Sequence, residues 1–329
     1  MRVLVTGGCG YIGSALVPRL QDDDAVSRVT VLDNLSTGSP ANLTGADVGR
    51  DDLAFREGDV REYGAIEAAV RDVDVVIHLA AITGAESTHG REAETRAVNR
   101  GGTENVLKAA RKFDVDRVVF ASSCNNYGRA ESREIDETVE PDPINPYARA
   151  KHESERLLAD YADDYGLETT ALRMSTNYGY APGVRFNLVV NTFVFRALTD
   201  RPLTVYGDGS NWRPFIHVED AARSFRTAAT DPDRWPRQVY NVGADAANYR
   251  IATVADVVDV ELDCELDVNY LREKQPGPSY HVDFGRLEET GFEPEWTLPT
   301  GIRDLAARLG ADGPTPDGPA SPARGESDV

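Results

Sequence analysis

The feature that most constrains the fold is a glycine-rich turn between an apolar strand and an apolar helix at the start of the chain. In the segment VLVTGGCGYIGSALV, Gly8, Gly10 and Gly13 fit the spacing GxGxxG, and Gly7 with the last two fits GxxGxxG. Glycines at these places allow a tight turn, close approach of the backbone to a pyrophosphate and close helix–strand packing. The free N–H groups at the start of the helix also attract phosphate. The turn therefore predicts a binding site for a dinucleotide.

The order of apolar segments along the chain predicts the fold class. Short apolar runs alternate with helical patterns in the first half, which is typical of a parallel sheet covered on both faces. The predicted strands are 2–6, 28–32, 53–58, 73–79, 117–121 and 168–173. The predicted helices are 11–20, 63–70, 91–113 and 146–165. We therefore expect an α/β protein with a Rossmann doubly wound parallel sheet.

The second half of the chain has a different character. After about residue 175 the alternation loosens, and the segments VVNTFVFRALTD and TVADVVDVELDCELDVNYL suggest a smaller C-terminal α/β lobe. The tail is rich in Pro, Gly, Ser and Asp, so it is predicted to be disordered. The expected domains are 1–174 for the dinucleotide, 175–310 mainly for the substrate, and 311–329 as the tail.

Composition excludes several classes of function. A formal charge of -20 would repel a nucleic-acid backbone. No apolar run reaches the length of a membrane span, and the N-terminus lacks the features of a signal peptide. The three cysteines are widely spaced and form no zinc or disulfide pattern, so a cytoplasmic protein without metal is expected. The acidic surface and only four lysines suit a halophilic setting, although an ordinary acidic enzyme would also fit.

Acidic and apolar residues at later strand ends extend the predicted dinucleotide site. About twenty residues after the glycines, the second strand ends at Asp33, whose carboxylate can accept hydrogen bonds from a ribose and repel a 2′-phosphate. This favours NAD over NADP, while a solvated loop aspartate is the alternative. Asp59 and Val60 end the third strand, and the segment HLAAIT follows the fourth. All lie at carboxyl ends of parallel strands, where such ligands bind.

Two further segments carry the predicted chemistry. The fifth strand ends in Ser122 and Ser123, and NPYARAK opens a long helix that holds Tyr147 and Lys151 on one face. An ammonium beside a phenol stabilises the phenolate and so favours its use as a general base. The pattern YxxxK alone has little specificity. Together with the glycine turn and the serine-ended strand, it becomes a specific signal.

The motifs TGGCGYIG, VLDNLSTG, GDVRE, HLAA, FASSCNNYG, YARAK and RPFIHVED occur in the order seen in extended short-chain dehydrogenase/reductases. The resemblance covers about residues 1–305, and that family includes UDP-galactose 4-epimerase and dTDP-glucose 4,6-dehydratase. It implies that Ser123 is the catalytic hydroxyl, Tyr147 the base, and Lys151 its activator and nicotinamide-ribose ligand. The implied NAD-binding residues are Gly7, Gly10, Tyr11, Ile12, Gly13, Asp33, Asn34, Asp59, Val60, Leu79, Ala80, Ala81, Asn99, Ser122, Tyr147 and Lys151.

The resemblance also implies a nucleotide-sugar site, with UDP favoured. Arg213, in YGDGSNWRPFIHVED, matches an arginine that meets the nucleotide diphosphate, although a surface arginine is the alternative. The family's RPGD motif reads KQPGPS at 274–279 here, which leaves Arg272 a weak candidate for a phosphate contact. The predicted substrate-binding residues are Thr83, Ser123, Cys124, Asn125, Thr176, Asn177, Asn187, Leu188, Arg213 and Arg272.

Two departures from the family bear on the reaction. Thr176 stands where the family's RxxNxYG motif has Asn, so a sugar contact is altered. Relatives that dehydrate the sugar carry Asp-Glu where this chain has Cys124 and Asn125, and a thiol and an amide are poor acid–base groups at neutral pH. Dehydration is therefore disfavoured, and Cys124 is interpreted as a small buried filler rather than an acid.

The sequence thus predicts a UDP-hexose 4-epimerase that works through a transient keto-sugar, with hydride returned from bound NADH. The alternatives are a dehydrogenase or ketoreductase that uses soluble NAD(H), and a non-catalytic NAD-binding protein on the same fold. The resemblance implies a homodimer formed through the helices predicted at 91–113 and 146–165. No histidine is placed like a metal ligand.

Overall fold

The structure, a computed structural model, describes residues 1–84, 86–129, 134–264, 266–273 and 278–310. The tail predicted at 311–329 and part of the KQPGPS segment lie outside these residues. The strands, in chain order, are β1 Arg2–Thr6, β2 Arg28–Asp33, β3 Leu53–Glu57, β4 Val75–His78, β5 Arg117–Ser123, β6 Glu134–Ile135, β7 Glu168–Met174, β8 Thr176–Tyr178, β9 Leu203–Tyr206, β10 Trp212–His217, β11 Val239–Val242, β12 Asn248–Arg250, β13 Val268–Leu271 and β14 His281–Val282. The α-helices are α1 Tyr11–Gln21, α2 Tyr63–Val70, α3 Glu92–Arg96, α4 Gly102–Lys112, α5 Pro146–Tyr165, α6 Val189–Leu198, α7 Val218–Thr230, α8 Ile251–Leu262, α9 Gly285–Glu288 and α10 Leu298–Leu309.

Among the described residues, seven parallel strands form one large sheet in the order β11-β7-β5-β4-β1-β2-β3. The strand order reverses beside β1, where Thr6 pairs with Leu32 on one side and with His78 on the other. In a doubly wound sheet this reversal opens a crevice at the carboxyl ends of the strands. The glycine turn follows β1 directly, so the fold places it at this crevice.

Helices cover both faces of the large sheet. Helices α1 and α7 pack together on one face, over a core that includes Leu16, Val31 and Phe225. Helices α2, α4 and α5 cover the other face, over a core that includes Val76 and Phe120. This arrangement confirms the predicted Rossmann doubly wound class. The strand bounds differ slightly from prediction, since β5 continues through both of its terminal serines and β4 is shorter at each end.

The helix predicted at 91–113 is present, but it is not regular throughout. The structure contains α3, then a π-helical turn at Ala97–Gly101, and then α4. The physical reason lies at Asn99, whose side chain is held by the backbone of Ile82 while its carbonyl accepts hydrogen bonds from the Thr103 and Ser154 hydroxyls. Apolar periodicity cannot reveal such a turn, because a π-bulge inside a helix leaves the amphipathic pattern nearly intact.

The second half of the chain contributes to two regions. Strand β11 pairs with β7 at the edge of the large sheet, and α7 packs on α1. The remaining elements build a smaller lobe, in which α6, α8 and α10 surround the strand groups β12-β10-β8 and β13-β9. Its core includes Phe193, Phe215, Val258 and Ile302. Two sequence segments suggested this lobe. The segment VVNTFVFRALTD contains α6, and the segment TVADVVDVELDCELDVNYL contains most of α8 and all of β13.

Candidate active site

The glycine turn has the shape that a pyrophosphate requires. Gly7 has a φ of +73°, and a Cβ atom there would lie 2.7 Å from the backbone nitrogen of Ala80. A Cβ at Gly13 would lie 2.5 Å from the carbonyl oxygen of Gly8, so α1 packs directly on the turn. Gly10 precedes α1 without a side-chain cap, and the first helical turn has no acidic residue. The N–H groups at Tyr11 and Ile12 thus remain available for an anion, and the residues present fit a dinucleotide.

The acidic residue predicted to bind the ribose lies beside this turn. The Asp33 carboxylate accepts hydrogen bonds from the backbone N–H groups of Cys9, at 3.0 Å, and Leu35, at 2.8 Å. Its side chain is therefore fixed at the carboxyl end of β2, where a ribose could use the remaining acceptor positions. Backbone hydrogen bonds thus set the orientation of the carboxylate before any ligand binds.

Two other predicted cofactor residues contact each other. The Asn34 amide donates to Asp59 at 2.9 Å, and Arg61 forms a bidentate pair with the same carboxylate. Hydrogen bonds from Arg61 hold the pKa of the Asp59 carboxyl well below its usual range, although burial opposes them. Val60 is buried against Gly102. The Asp59 carboxylate is occupied by Asn34 and Arg61, and the Val60 side chain is buried. A cofactor contact from either residue would therefore come from its main chain.

The loop after β4 is fixed from both sides. The backbone N–H groups of Leu79 and Ala80 donate to Thr6, at 3.0 and 3.3 Å. Ile82, the residue after Ala81, exchanges two hydrogen bonds with the Asn99 side chain, at 2.8 and 2.9 Å. The side chain of Asn99, in the π-helical turn, thus fixes the backbone of the loop after β4.

His78, at the end of β4, is buried and hydrogen-bonded to Thr6 and Thr103. Burial, with the nearby charge of Lys151, lowers the pKa of His78 to about 3, so the imidazole is neutral. Within the residues that the structure describes, no group of three or more His, Cys, Asp or Glu side chains could hold a metal ion. In the same residues, the helices are too short or too polar to cross a bilayer.

The structure brings Ser123, Tyr147 and Lys151 together. Asn145 caps α5 by accepting from the Ala148 N–H at 2.9 Å, and Pro146 starts the helix, so Tyr147 lies in its first turn. Burial raises the pKa of the Tyr147 phenol, while its hydrogen bond with Ser123 and the charge of Arg185 oppose that rise.

Lys151 lies behind the phenol. Its ammonium donates to the carbonyl oxygen of Ala121 at 2.6 Å and lies 6.0 Å from the centre of the Tyr147 ring. Burial lowers the pKa of Lys151 to about 7, against the opposing effect of Glu155. The three groups can therefore take a proton from an alcohol that binds at Ser123 and Tyr147, with a cation nearby to stabilise the phenolate.

A buried polar network that the sequence did not reveal supports these groups. Glu155, one helical turn after Lys151, accepts a hydrogen bond from Ser122 at 2.5 Å. Arg173 on β7 donates two hydrogen bonds to the same carboxylate, at 3.0 and 2.8 Å. The Ser122 hydroxyl was predicted to bind the cofactor, but it donates its hydrogen bond to the buried Glu155 carboxylate. The one sequence signal was the spacing of Glu155 four residues after Lys151, which puts both on the same helix face.

The predicted substrate residues next to Ser123 differ in how they are placed. The Cys124 thiol is buried, donates to the carbonyl of Arg173 at 3.2 Å, and has its pKa raised to about 12 by burial. Asn125 instead reaches Ser123 Oγ with its amide nitrogen at 3.3 Å. Its amide oxygen accepts from Tyr280, which sequence reasoning missed, at 3.4 Å. The Arg213 guanidinium stacks on the Tyr280 ring at 4.9 Å, so Asn125, Tyr280 and Arg213 form one wall of the crevice.

The other predicted substrate residues are more scattered. Thr176 and Asn177 lie partly buried in β8, and Leu188 is partly buried at the start of α6. Asn187 is exposed, and Arg272 is exposed in the turn after β13. Thr83 accepts a hydrogen bond at 2.5 Å from Arg185, an arginine that no motif singled out.

Comparison with known proteins gives a consistent assignment. The profile of the NAD dependent epimerase/dehydratase family matches residues 3–243. The low-salt glycan biosynthesis protein Agl12 of Haloferax volcanii is 31% identical over 92% of this chain and 96% of its own length.

Solved structures agree. The NAD complex of UDP-glucose 4-epimerase from Thermus thermophilus is 30% identical, with a TM-score of 0.81 over 95% of this chain and all of the other. A dTDP-glucose 4,6-dehydratase from Streptomyces venezuelae, with NAD and TYD bound, is 28% identical, with a TM-score of 0.81 over 93% of this chain and 96% of the other. The similarity therefore spans the large sheet and the smaller lobe together.

Proposed function

The chain belongs to the NAD-dependent epimerase/dehydratase family, and we propose that within this family it is a nucleotide-sugar epimerase, most simply a UDP-hexose 4-epimerase. One observation carries the proposal. The Ser123, Tyr147 and Lys151 groups lie together at the crevice, while the two positions after Ser123 hold no group that could act as an acid or base at neutral pH. The similarity to a UDP-glucose 4-epimerase supports the choice of reaction.

In the proposed reaction, Tyr147 first removes a proton from the sugar and later returns it. Ser123 holds the oxygen of the sugar hydroxyl, and Tyr147 accepts its proton while the adjacent cation of Lys151 stabilises the phenolate. Bound NAD supplies reversible removal of hydrogen from the same carbon. Once the keto-sugar has rotated in the site, the hydride would return to the opposite face of the same carbon and Tyr147 would return the proton to the oxygen, so the configuration of that carbon is inverted without net oxidation.

Dehydration would need more than this site offers. Expelling a neighbouring hydroxyl requires an additional acid and base beside Ser123. The Cys124 thiol is buried with a pKa of about 12, and the Asn125 amide does not titrate. The similarity to dTDP-glucose 4,6-dehydratases therefore supports the fold and cofactor more than the reaction. A dehydrogenase or ketoreductase is the second candidate, since Thr176 replaces the family's usual sugar-contacting Asn.

The substrate wall favours a nucleoside diphosphate. The Arg213 guanidinium donates to the carbonyl of Pro278 and lies across the face of Tyr280, whose hydroxyl donates to Asn125. A planar guanidinium supported by an aromatic ring suits bidentate binding of phosphate. Arg213 would thus hold the diphosphate while the sugar extends towards Tyr147.

We also propose a homodimer through α4 and α5. These helices pack side by side, with Arg111 stacked on the exposed ring of Tyr165. Size-exclusion chromatography with light scattering, at low and high salt, would measure the oligomeric state. A monomer at all concentrations would contradict this interface.

The test of function is proton NMR of the protein with UDP-glucose and catalytic NAD, at low and at high salt. We expect UDP-galactose to appear without accumulation of NADH. Stoichiometric NADH would identify a dehydrogenase, and a 4-keto-6-deoxy product would identify a dehydratase. Tyr147→Phe should lower turnover at least a hundredfold, since it removes the acid–base group.

Tyr270→Phe is the matched control, because it makes the same change on an exposed residue of β13 that has no part in the proposed site or interface. It should retain wild-type turnover. Near-normal turnover of Tyr147→Phe would refute the proposed mechanism.

A further inference from the structure

Arg185 is a cation in the crevice that the proposed reaction does not use. It lies in the loop between β8 and α6, partly buried, and its Nη1 donates to Thr83 Oγ1 at 2.5 Å. Burial lowers the pKa of Arg185, and electrostatic interactions with the phenol groups of Tyr147 and Tyr11 oppose this effect. Within the described residues, none of its recorded partners is a carboxylate. A guanidinium withdrawn from water without a counter-charge is unfavourable unless an anion binds beside it.

The loop that carries Arg185 lies directly on the glycine turn. A Cβ atom at Gly183 would lie 2.8 Å from the carbonyl oxygen of Gly10 and 3.1 Å from the Cα atom of Tyr11. The Gly183 N–H donates to Ser14 Oγ in α1 at 3.0 Å. Only a residue without a side chain can therefore cross the turn at this point.

A second anchor fixes the other end of this loop. The Asn191 amide nitrogen donates to the carbonyl of Arg185 at 3.1 Å and to the Tyr11 hydroxyl at 3.3 Å. Residues 181–185, which we call the strap, are thus attached to the start of α1 at two points. The Arg185 side chain donates to Thr83 and interacts electrostatically with Tyr11, at the start of α1, and with Tyr147.

We propose that Arg185 binds the pyrophosphate of NAD from the side opposite the α1 N-terminus, and that the strap thereby retains the cofactor. The helix N-terminus supplies N–H donors and a favourable dipole, and Arg185 supplies the full positive charge that α1 lacks. The substrate diphosphate has a separate candidate in Arg213, which stacks on Tyr280. The proposal rests on the NAD binding of the family. Retention of NAD also suits the proposed epimerase, because that reaction leaves the cofactor unchanged.

The test measures NAD affinity of the NAD-depleted full-length protein by titration calorimetry, with UDP as a second ligand. Arg185→Met should weaken NAD binding at least tenfold and leave UDP binding within twofold of wild type. The NAD affinity of Arg185→Lys should lie between those of wild type and Arg185→Met, because an ammonium keeps the charge but loses the bidentate geometry. Arg201→Met, at an exposed arginine outside the crevice, is the control and should leave both affinities unchanged.

A folding measurement separates lost binding from lost structure. Without NAD, Arg185→Met should melt no lower than wild type, because the change removes an uncompensated cation. With saturating NAD, wild type should gain more in melting temperature than the variant. A lower melting temperature for the NAD-free variant would overturn the proposal, since Arg185 would then be structural.

Two further results would overturn it. NAD affinity within twofold of wild type in Arg185→Met would show that Arg185 does not bind the cofactor. Weakened UDP binding with unchanged NAD binding would assign the guanidinium to the substrate. Absence of UDP-glucose turnover would count against the epimerase alone, because both binding measurements are independent of catalysis.

Discussion

The buried pair of Arg173 and Glu155 offers a quantitative test of how the fold supports the site. Both side chains are only 6% exposed, and two hydrogen bonds join them. Replacing Arg173 with Met keeps the length of the side chain but leaves a carboxylate buried without its cation. Removing one partner of such a pair costs about 3–5 kcal/mol. Because domains are stable by only about 5–15 kcal/mol, the variant should lose a large part of its folding free energy.

The double variant Glu155→Met/Arg173→Met separates the charge from the packing. It removes both charges of the pair. Its remaining cost comes from Lys151, which loses the favourable charge of Glu155, and from the groups that hydrogen-bond to the pair, namely Ser122, Asn126 and Tyr127. Each unsatisfied polar group costs about 1–3 kcal/mol, and the side chains can rotate to recover part of it. The double variant should therefore be less destabilised than the sum of the two single variants, by about 1–3 kcal/mol of coupling.

The assay is urea unfolding followed by tryptophan fluorescence, on NAD-free protein at pH 7. Arg156→Met is the control, because its ion pair with Glu140 spans 3.7 Å between side chains that are 69% and 82% exposed. It should cost less than about 1 kcal/mol. The reasoning is refuted if Arg173→Met also costs less than that, or if the double variant is as unstable as the sum of the singles.

The pH dependence gives an independent check on the same pair. Although burial raises the pKa of the Glu155 carboxyl, the nearby His152 ring and the hydrogen bonds from Arg173 hold it below its usual value. A carboxyl with a lowered pKa stabilises the fold fully above its unfolded pKa, and this stabilisation is lost as the pH falls through the folded pKa. Wild type should therefore lose stability on acidification below about pH 4.3. The double variant should lose less over the same interval, as measured by urea unfolding at stepped pH.

Three further predictions follow from the site. Gly7→Ala should weaken NAD binding at least tenfold in calorimetry, because the new methyl would meet the backbone of Ala80 in a left-handed conformation; unchanged affinity would contradict the assigned turn. Asp33→Ser should raise the affinity for NADP relative to NAD, because it removes the charge that repels a 2′-phosphate, and a ratio unchanged from wild type would count against the ribose role. In the folded protein at pH 8, iodoacetamide should leave Cys124 unmodified, because the thiol is 2% exposed with a pKa near 12. Labelling of Cys124 before the partly exposed Cys264, seen by peptide mass spectrometry, would be the contrary result.

The sequence predicted the secondary structure best where the pattern of a single segment is enough to identify the element. The six strands predicted in the first half recur because each is a short apolar run between helical patterns, which only a parallel sheet buries on both faces. Strand β11 was not predicted, since its four residues resemble any short apolar run and its place depends on pairing with β7. Local patterns therefore predicted the class of fold, while the last strand of the sheet depended on a long-range contact.

The same distinction applies to the site. The glycine turn and the YxxxK pattern are local, so Gly7, Tyr147 and Lys151 could be named from sequence. Arg185 contacts Thr83, 102 positions away in the chain, and neither residue belongs to a pattern that predicts the other. Tyr280 meets Asn125 across 155 positions. Residues that meet only through the fold carry no periodic signal, and a single sequence cannot pair them.

Asn99 shows what the sequence pattern of a correctly predicted helix does not reveal, which is the π-helical turn at Ala97–Gly101. In a regular α-helix the carbonyl of this residue would be used by the N–H four residues later. In the π-helical turn, the same carbonyl accepts hydrogen bonds from the backbone N–H of Gly102 and from the hydroxyls of Thr103 and of Ser154 on α5, the last two at 2.6 and 3.3 Å. The Asn99 side chain meanwhile holds Ile82 in the loop after β4. One residue thus links the loop after β4 to the helix that carries Tyr147 and Lys151.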